Sequence, residues 1–498
     1  MTTDRRDESV KNKVKYNVVV TGSIFATLLW GSSIVAQESH QLHVPSAPKA
    51  LPIPLESDTV SSDKAGREFL APPPTPNTIG PTWAFSDPGE VLDNQDYTLE
   101  AFLSMAAEYN PTIRQSRLHI NSQLNRAIQA GLYPNPTLRY LGEQIGVGGT
   151  AGEWQGAEIE QRFVTAGKLE LSENKYLQRA KVAEFLAVAQ QYRVCNDVRI
   201  HFVKALAARQ IIDLKKELLK NAEDNLVTIR ERYNVGQASR AEAHQANALL
   251  QQHRLAVMNA QNDYRQHLLE LISLTGAELS VPSLNGELKS SRDLIDFDAA
   301  YATILAQSPE LCAAHAKLRE DLITVQRERV EWVPDIVAGT GAGYNFDARE
   351  TTYSAMLSLE IPLYDRNQGT IKQAEADYSR QQSEIRRTEL DLRRRLSVEY
   401  GRYLTAAQNV QNYETVILPE RKKAYSLVLS SYKANRIAWD DVLQAYDDYT
   451  RARVEYVMNL SAQRTSEILI DGFLLHGGLQ TPSGPLPGGH IDSVPKPR

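Results

Sequence analysis

The feature that most limits this fold is a long repeat. Leu99-Glu100-Ala101-Phe102 through Asn110-Pro111-Thr112 returns, 198 residues later, as Phe297-Asp298-Ala299-Ala300 through Ser308-Pro309-Glu310. Leu132-Tyr133-Pro134 returns as Trp332-Val333-Pro334, and Glu160-Gln161-Arg162-Phe163 as Glu360-Ile361-Pro362-Leu363. Tyr233-Asn234-Val235-Gly236 falls on Tyr432-Lys433-Ala434-Asn435. Four matches in one order at a nearly constant offset mark duplication of a whole half-domain, not a short solenoid repeat. The expected body is thus two copies of one unit, residues 97–289 and 290–476.

Each copy follows one plan. A helix in two segments is broken at Asn110-Pro111 and again at Ser308-Pro309, where proline removes a donor and disfavours a helical residue before it. Two β segments follow, expected near 136–146 and 153–164, then 335–346 and 352–363. Long helical hairpins complete the halves over 165–275 and 367–474. Ile211, Leu214, Leu218, Ala222, Leu226 and Ile229 recur at spacings of three and four, a narrow apolar stripe. Sixty residues of helix rise about 90 Å, which suits an antiparallel coiled-coil hairpin and no compact domain.

The β segments carry a membrane signal. Tyr353, Ala355, Leu357, Leu359, Ile361 and Leu363 alternate with Ser354, Ser358 and Glu360 among the intervening residues. Ala157, Ile159 and Phe163 alternate with Glu158, Glu160 and Arg162 in the first half. Apolar-out, polar-in strands of about ten residues build transmembrane barrel walls. Four strands close no barrel, and lipid tolerates no open edge, so closure needs several chains. An ordinary half-buried sheet against helices is the competing reading.

The ends differ from the body. Arg5, Arg6, Lys11, Lys13 and Lys15 precede an uncharged apolar run, and Ile34-Val35-Ala36 offers a cleavage site, so residues 1–36 read as a secretory signal. Residues 37–96, with Pro72-Pro73-Pro74, read as a disordered leader, and 477–498 as a flexible tail. A net charge of -6 argues against nucleic-acid binding. Two cysteines, Cys195 and Cys312, exclude a disulfide-built or cysteine-rich metal scaffold. The ten histidines show no sequence clusters, so no metal site is expected. His253 lies on the stripe Leu250, His253, Val257, Ala260, Tyr264 and reads as a packing residue. The run Gly339-Thr340-Gly341-Ala342-Gly343 lacks dinucleotide spacing and reads as small residues in a barrel wall. No nucleophile–base pair and no cofactor motif is present, so no enzyme is expected.

The duplicated order of these motifs resembles the TolC-like outer-membrane efflux proteins over residues 97–476. The resemblance rests on Tyr233…Gly236 and its partner at Tyr432, on Ile417-Leu418-Pro419, and on Asp441-Val442-Leu443-Gln444-Ala445. Glu160-Gln161-Arg162-Phe163 with Gly167-Lys168 looks like the metal- and drug-efflux branch. Asn435 departs from the expected glycine, and the first half has no counterpart of Pro419, so the halves should bend differently.

The resemblance implies a homotrimer with a 12-stranded outer-membrane barrel, lipid around it, and a 12-helix periplasmic tunnel. It also implies an adaptor and an inner-membrane pump as partners. Adaptor contact is expected at Asn234, Val235, Gly236, Gln237, Lys433, Ala434 and Asn435. Tyr432 and Arg436 would tie the closed tip, and the gate would open by untwisting of the hairpins around Tyr233 and Tyr432. Nine residues after each tip tyrosine stands an acid, Glu242 and Asp441, the latter preceded by Asp440. Three copies would form a cation-favouring ring at the constriction, whereas the plainer reading makes these acids helix-terminus complements. A type I secretion duct and a soluble periplasmic coiled-coil scaffold are the alternatives.

Overall fold

The computed structural model describes residues 96–146, 152–277, 283–289, 293–434 and 436–481. The expected signal and the leader up to residue 95 therefore lie outside the described residues. Residue 96 does not belong to that leader: Asp96–Tyr97 is strand β1, paired in parallel with β4, Ser283–Leu284.

The proline breaks act as expected. Helix α1 (Leu99–Tyr109) stops at Asn110, whose side chain accepts the Thr112 N–H and so caps α2 (Pro111–Gly131). Proline at the first helical position lacks only a donor that would be unpaired anyway. The second half repeats the proline break, without the side-chain cap, between α5 (Phe297–Gln307) and α6 (Pro309–Val330). Helix α3 (Lys168–Asn234) is 67 residues of unbroken helix, about 100 Å long. It turns into α4, Arg240–Thr275.

The equivalent arm of the second half is broken. Helix α7 (Gln368–Asn412) passes through a π-helical turn, Tyr413–Ile417, into α8 (Leu418–Lys433). Pro419 explains the interruption, because its ring displaces the carbonyl one turn before it and it has no N–H to offer. Helix α9 (Trp439–Asp471) completes the hairpin.

Strands β2 (Thr137–Glu143), β3 (Trp154–Phe163), β5 (Ile336–Asn345) and β6 (Glu350–Leu359) form one antiparallel sheet in the order β2-β3-β5-β6. Strand β6 ends four residues short of the expected 363, since Pro362 cannot donate to a ladder. The register aligns Tyr140, Ala157, Ala342 and Tyr353, and likewise Leu138, Ile159, Thr340 and Ala355, on one face. That face is apolar and uncovered: Tyr353 is 82% exposed, Leu357 74% and Leu138 76%. The opposite face carries Arg139, Glu158, Glu160 and Arg162. Here the glycines have a use. The Trp154 indole lies over Gly156 and Gly343, where a Cβ would collide with it, and its N–H donates to Thr352 at 2.7 Å.

Helix α3 is the spine of both cores. Phe102, Val194, Val198, Phe202, Leu271 and Leu460 form one core with it, and Ala189, Leu311, Leu392, Leu396 and Ile470 another. Small residues such as Ala180, Ala183 and Ala187 let neighbouring helices approach closely. Arg179 of α3 meets Glu320 of α6 at 2.6 Å with both side chains buried, so an ion pair joins the two halves.

The residues after α9 do not behave as a tail. Phe473 and Leu474 both take positive φ, 59° and 60°, which costs non-glycine residues about 1–2 kcal/mol each. Buried Asn196 offsets this by donating to the carbonyls of Gly472 and Leu475 at 2.9 and 2.8 Å. Phe473 packs edge-on against Tyr192. Asp197 accepts the N–H groups of Gly477 and Gly478, and the Gly478 carbonyl accepts from Gln190 and Thr112. The expected tail from 477 is thus pinned to α3 at least as far as Gly478, and residues 482–498 lie outside the described residues.

Candidate functional site

The two hairpin tips close with the same chemistry. Val235 ends α3, Gly236 takes φ 75°, and Gln237 donates its N–H to the Arg232 carbonyl at 2.7 Å. Ala434 ends α8, and Arg436 donates its N–H to the Ser431 carbonyl at 3.0 Å. The first is a Schellman closure, which requires a residue at home in the left-handed region between these two positions, and the second repeats its long backbone hydrogen bond. Glycine fills that role at 236, and Asn435 lies outside the described residues. Asn234, Val235, Gly236, Gln237, Lys433, Ala434 and Arg436 are all exposed or partly so, as are Tyr233 and Tyr432.

The acids of the two tips differ in how they are engaged. Glu242 forms a full capping box: its carboxylate accepts the Ser239 N–H and hydroxyl, while the Ser239 hydroxyl accepts the Glu242 N–H. The Ser239 hydroxyl and N–H hold the Glu242 carboxyl below the usual range. Glu242 is therefore occupied at a helix terminus. Asp441 makes half of such a box, accepting the Ala438 N–H at 3.2 Å, because alanine has no hydroxyl to return. Asp440 is exposed and has no hydrogen bond or ion pair among the described residues.

Tyr432 packs on Trp439, ring centroids 5.0 Å apart, and the Arg436 side chain has no ion pair among the described residues. Glu217 of α3 also links the hairpins, accepting from Tyr446 at 3.0 Å and Arg453 at 2.8 Å, both on α9. Burial, then the Glu217 carboxylate, pushes the Tyr446 phenol above its ordinary value. No periodicity marks Glu217, which sits in an exposed charged run; only the antiparallel stacking of the hairpins brings it to α9.

A second convergence lies at mid-height of α3. His201 Nδ1 is 2.7 Å, and His267 Nδ1 3.2 Å, from the same oxygen, Oε2 of Glu270. The expectation that the histidines are scattered fails here, because 66 residues of chain fold back and place α4 alongside α3. His253 is half-buried, and burial lowers its pKa against the upward pull of Asp447. Cys195 and Cys312 are free thiols.

Among the described residues no helix is long and apolar enough to cross a membrane. The family described as "Outer membrane efflux protein" matches residues 102–277 and 300–473, one match in each half. The chain belongs to the outer membrane efflux protein family. It is an outer-membrane efflux channel with a large periplasmic helical portion, it is not an enzyme, and it serves a tripartite efflux assembly with an adaptor and an inner-membrane pump. Among its relatives, the cobalt-zinc-cadmium resistance protein CzcC of Cupriavidus metallidurans is 25% identical over 389 residues, 76% of this chain and 90% of that one. The nickel-cobalt-cadmium resistance protein NccC of Alcaligenes xylosoxydans xylosoxydans is 26% identical over 55% of this chain and 62% of its own length. The fold is similar to that of CusC, with a TM-score of 0.63 at 16% identity, covering 77% of this chain and 93% of CusC. It is also similar to the CmeC outer membrane channel of Campylobacter jejuni, with a TM-score of 0.61 at 16% identity over 78% of this chain and 87% of CmeC.

Proposed function

We propose that three copies of this chain form the exit duct of an efflux system for divalent transition-metal ions. The observation that carries the trimer is the four-stranded sheet with one apolar, uncovered face and two unpaired edges, β2 and β6. Edge β6 of one copy pairing with β2 of the next gives twelve strands, removes every edge, and turns Tyr353, Leu357 and Leu138 toward lipid. The metal cargo rests on the resistance functions in the names of CzcC and NccC. Energy comes from the inner-membrane pump; the duct itself conducts passively.

The gate in this reading is the helical tip. Val235–Gln237 and Lys433–Arg436 meet the adaptor, and Tyr233 and Tyr432 stiffen the turns. Asp440 is the carboxylate freest to turn into the constriction, since Glu242 and Asp441 are held back by their bonds to the helix termini. Three Asp440 carboxylates around one axis would attract cations and repel anions.

Reconstitution in planar bilayers tests both parts. The detergent-solubilised particle should have the mass of three chains and form channels blocked by divalent cations. Asp440→Asn should weaken that block more than Asp441→Asn. A monomer recovered without detergent would remove the duct, and equal block in both variants would move the gate away from Asp440.

A further inference from the structure

The convergence of His201, His267 and Glu270 has the composition of a metal site. Two imidazole nitrogens aim at one carboxylate oxygen, and one ligand atom from each of the three residues lies within 4.8 Å of the other two. His201 Nδ1 is buried and makes no aligned hydrogen bond, although Glu270 Oε2 is 2.7 Å away.

Neighbouring residues fix the arrangement. Gln266 donates to Oε1 of Glu270 at 3.1 Å, leaving Oε2 toward the histidines. The rings stand 5.8 Å apart, centroid to centroid. Tetrahedral zinc–nitrogen and zinc–oxygen bonds put ligand atoms about 3.3 Å apart, so the Glu270 contacts at 2.7 and 3.2 Å open slightly while the two histidines, within 4.8 Å, draw in on the ion. The cluster borders an open groove with Asp197, Arg265, Ser273 and Leu479, so a cation can enter from solvent.

We infer that His201, His267 and Glu270 bind one divalent transition-metal ion per chain, clasping α3 to α4 beside the pinned segment after α9. Two imidazoles and a carboxylate select zinc, cobalt or nickel over the hard cations magnesium and calcium. Three protein ligands leave a fourth position to water, which makes the site exchangeable, not permanently filled. The site stands apart from the acidic tip and does not depend on what the duct conducts.

The full chain, purified without a histidine tag and stripped with chelator, should be titrated with Co2+ and read by visible absorption. One saturable equivalent per chain with tetrahedral or five-coordinate bands, displaced by Zn2+ and not by Mg2+, is expected. His267→Ala and Glu270→Gln should each weaken binding at least about tenfold, and Gln266→Ala, a positioning change on an exposed residue, by a comparable factor. His253→Ala should bind like the parent. Absence of saturable Co2+ binding in the parent, or parent-like affinity in His267→Ala and Glu270→Gln, would overturn the site. Because the readout is equilibrium binding, a duct that carries another cargo leaves this result intact.

Discussion

The two hairpins have one topology and two different mechanical characters. In the first, Ala222, Leu226 and Ile229 of α3 close on Ala246 and Leu250 of α4, so the arm near its tip has a core of its own. In the second, α8 has no buried residue, and Leu427 is 66% exposed. The first arm runs through 67 residues unbroken, whereas the second is interrupted by the π-helical turn ahead of Pro419. Duplication therefore preserved the path of the chain while one copy became a strut and the other a hinged lever. The lever is the natural moving part of a gate, because its tip is held by few contacts within the chain and its hinge is already built.

The largest expected effect concerns the seam on which both arms rest. Arg179→Ala leaves buried Glu320 with Lys317 as its remaining cation, at a cost of up to about 3–5 kcal/mol. Heat stability of the solubilised particle should fall accordingly, and an unchanged midpoint would show that the halves are not joined there.

Next comes the contrast between arms. Leu226→Ala opens a cavity in the first arm, at about 2–5 kcal/mol. Leu427→Ala in the second should change stability by no more than about 0.5 kcal/mol in the isolated chain. Hydrogen exchange should already be slower over 218–234 than over 418–433 in the parent. Equal protection would erase the distinction between strut and lever.

The capping difference predicts a smaller effect. Ser239→Ala should loosen the start of α4 by about 1 kcal/mol, and Ala438→Ser should tighten the start of α9 by a similar amount. Exchange rates at the first turns of both helices measure it; no change in either would mean that neighbouring contacts, not caps, hold the tips.

The weakest effect is one of pH. Glu242 has a folded pKa below its unfolded value, so its contribution is present above the usual carboxylate pKa and lost as pH falls through the lowered one. The first tip should fray in acid, and Glu242→Gln should remove that dependence. A first tip whose protection is flat through the carboxylate range would show that the capping box carries no weight.

What was legible in the sequence was what is written locally. Asn110-Pro111 and Ser308-Pro309 dictate a helix break whatever surrounds them, and Tyr353 to Leu359 reveals a two-faced strand by its period alone. Pro419 foretold that the halves bend differently, though not that a π turn would absorb the strain. The register of one hairpin against another is not local. Glu217 with Tyr446, and His201 with His267 and Glu270, meet only because long helices run side by side, and no spacing in the sequence encodes that. The segment after α9 was misread for a related reason: glycine-rich composition looks unstructured until Asn196 and Asp197, some 280 residues earlier, are seen to supply its hydrogen bonds.

That pinning has a bearing on assembly. Residues 472–478 follow both repeats in chain order, yet they fasten onto the middle of the first one. A polypeptide exported from its N-terminus must keep Asn196 and Asp197 waiting while the whole second half crosses into the periplasm. The belt is buckled last: until then the arms are joined by Arg179–Glu320 and by Glu217, and this final clasp is still open.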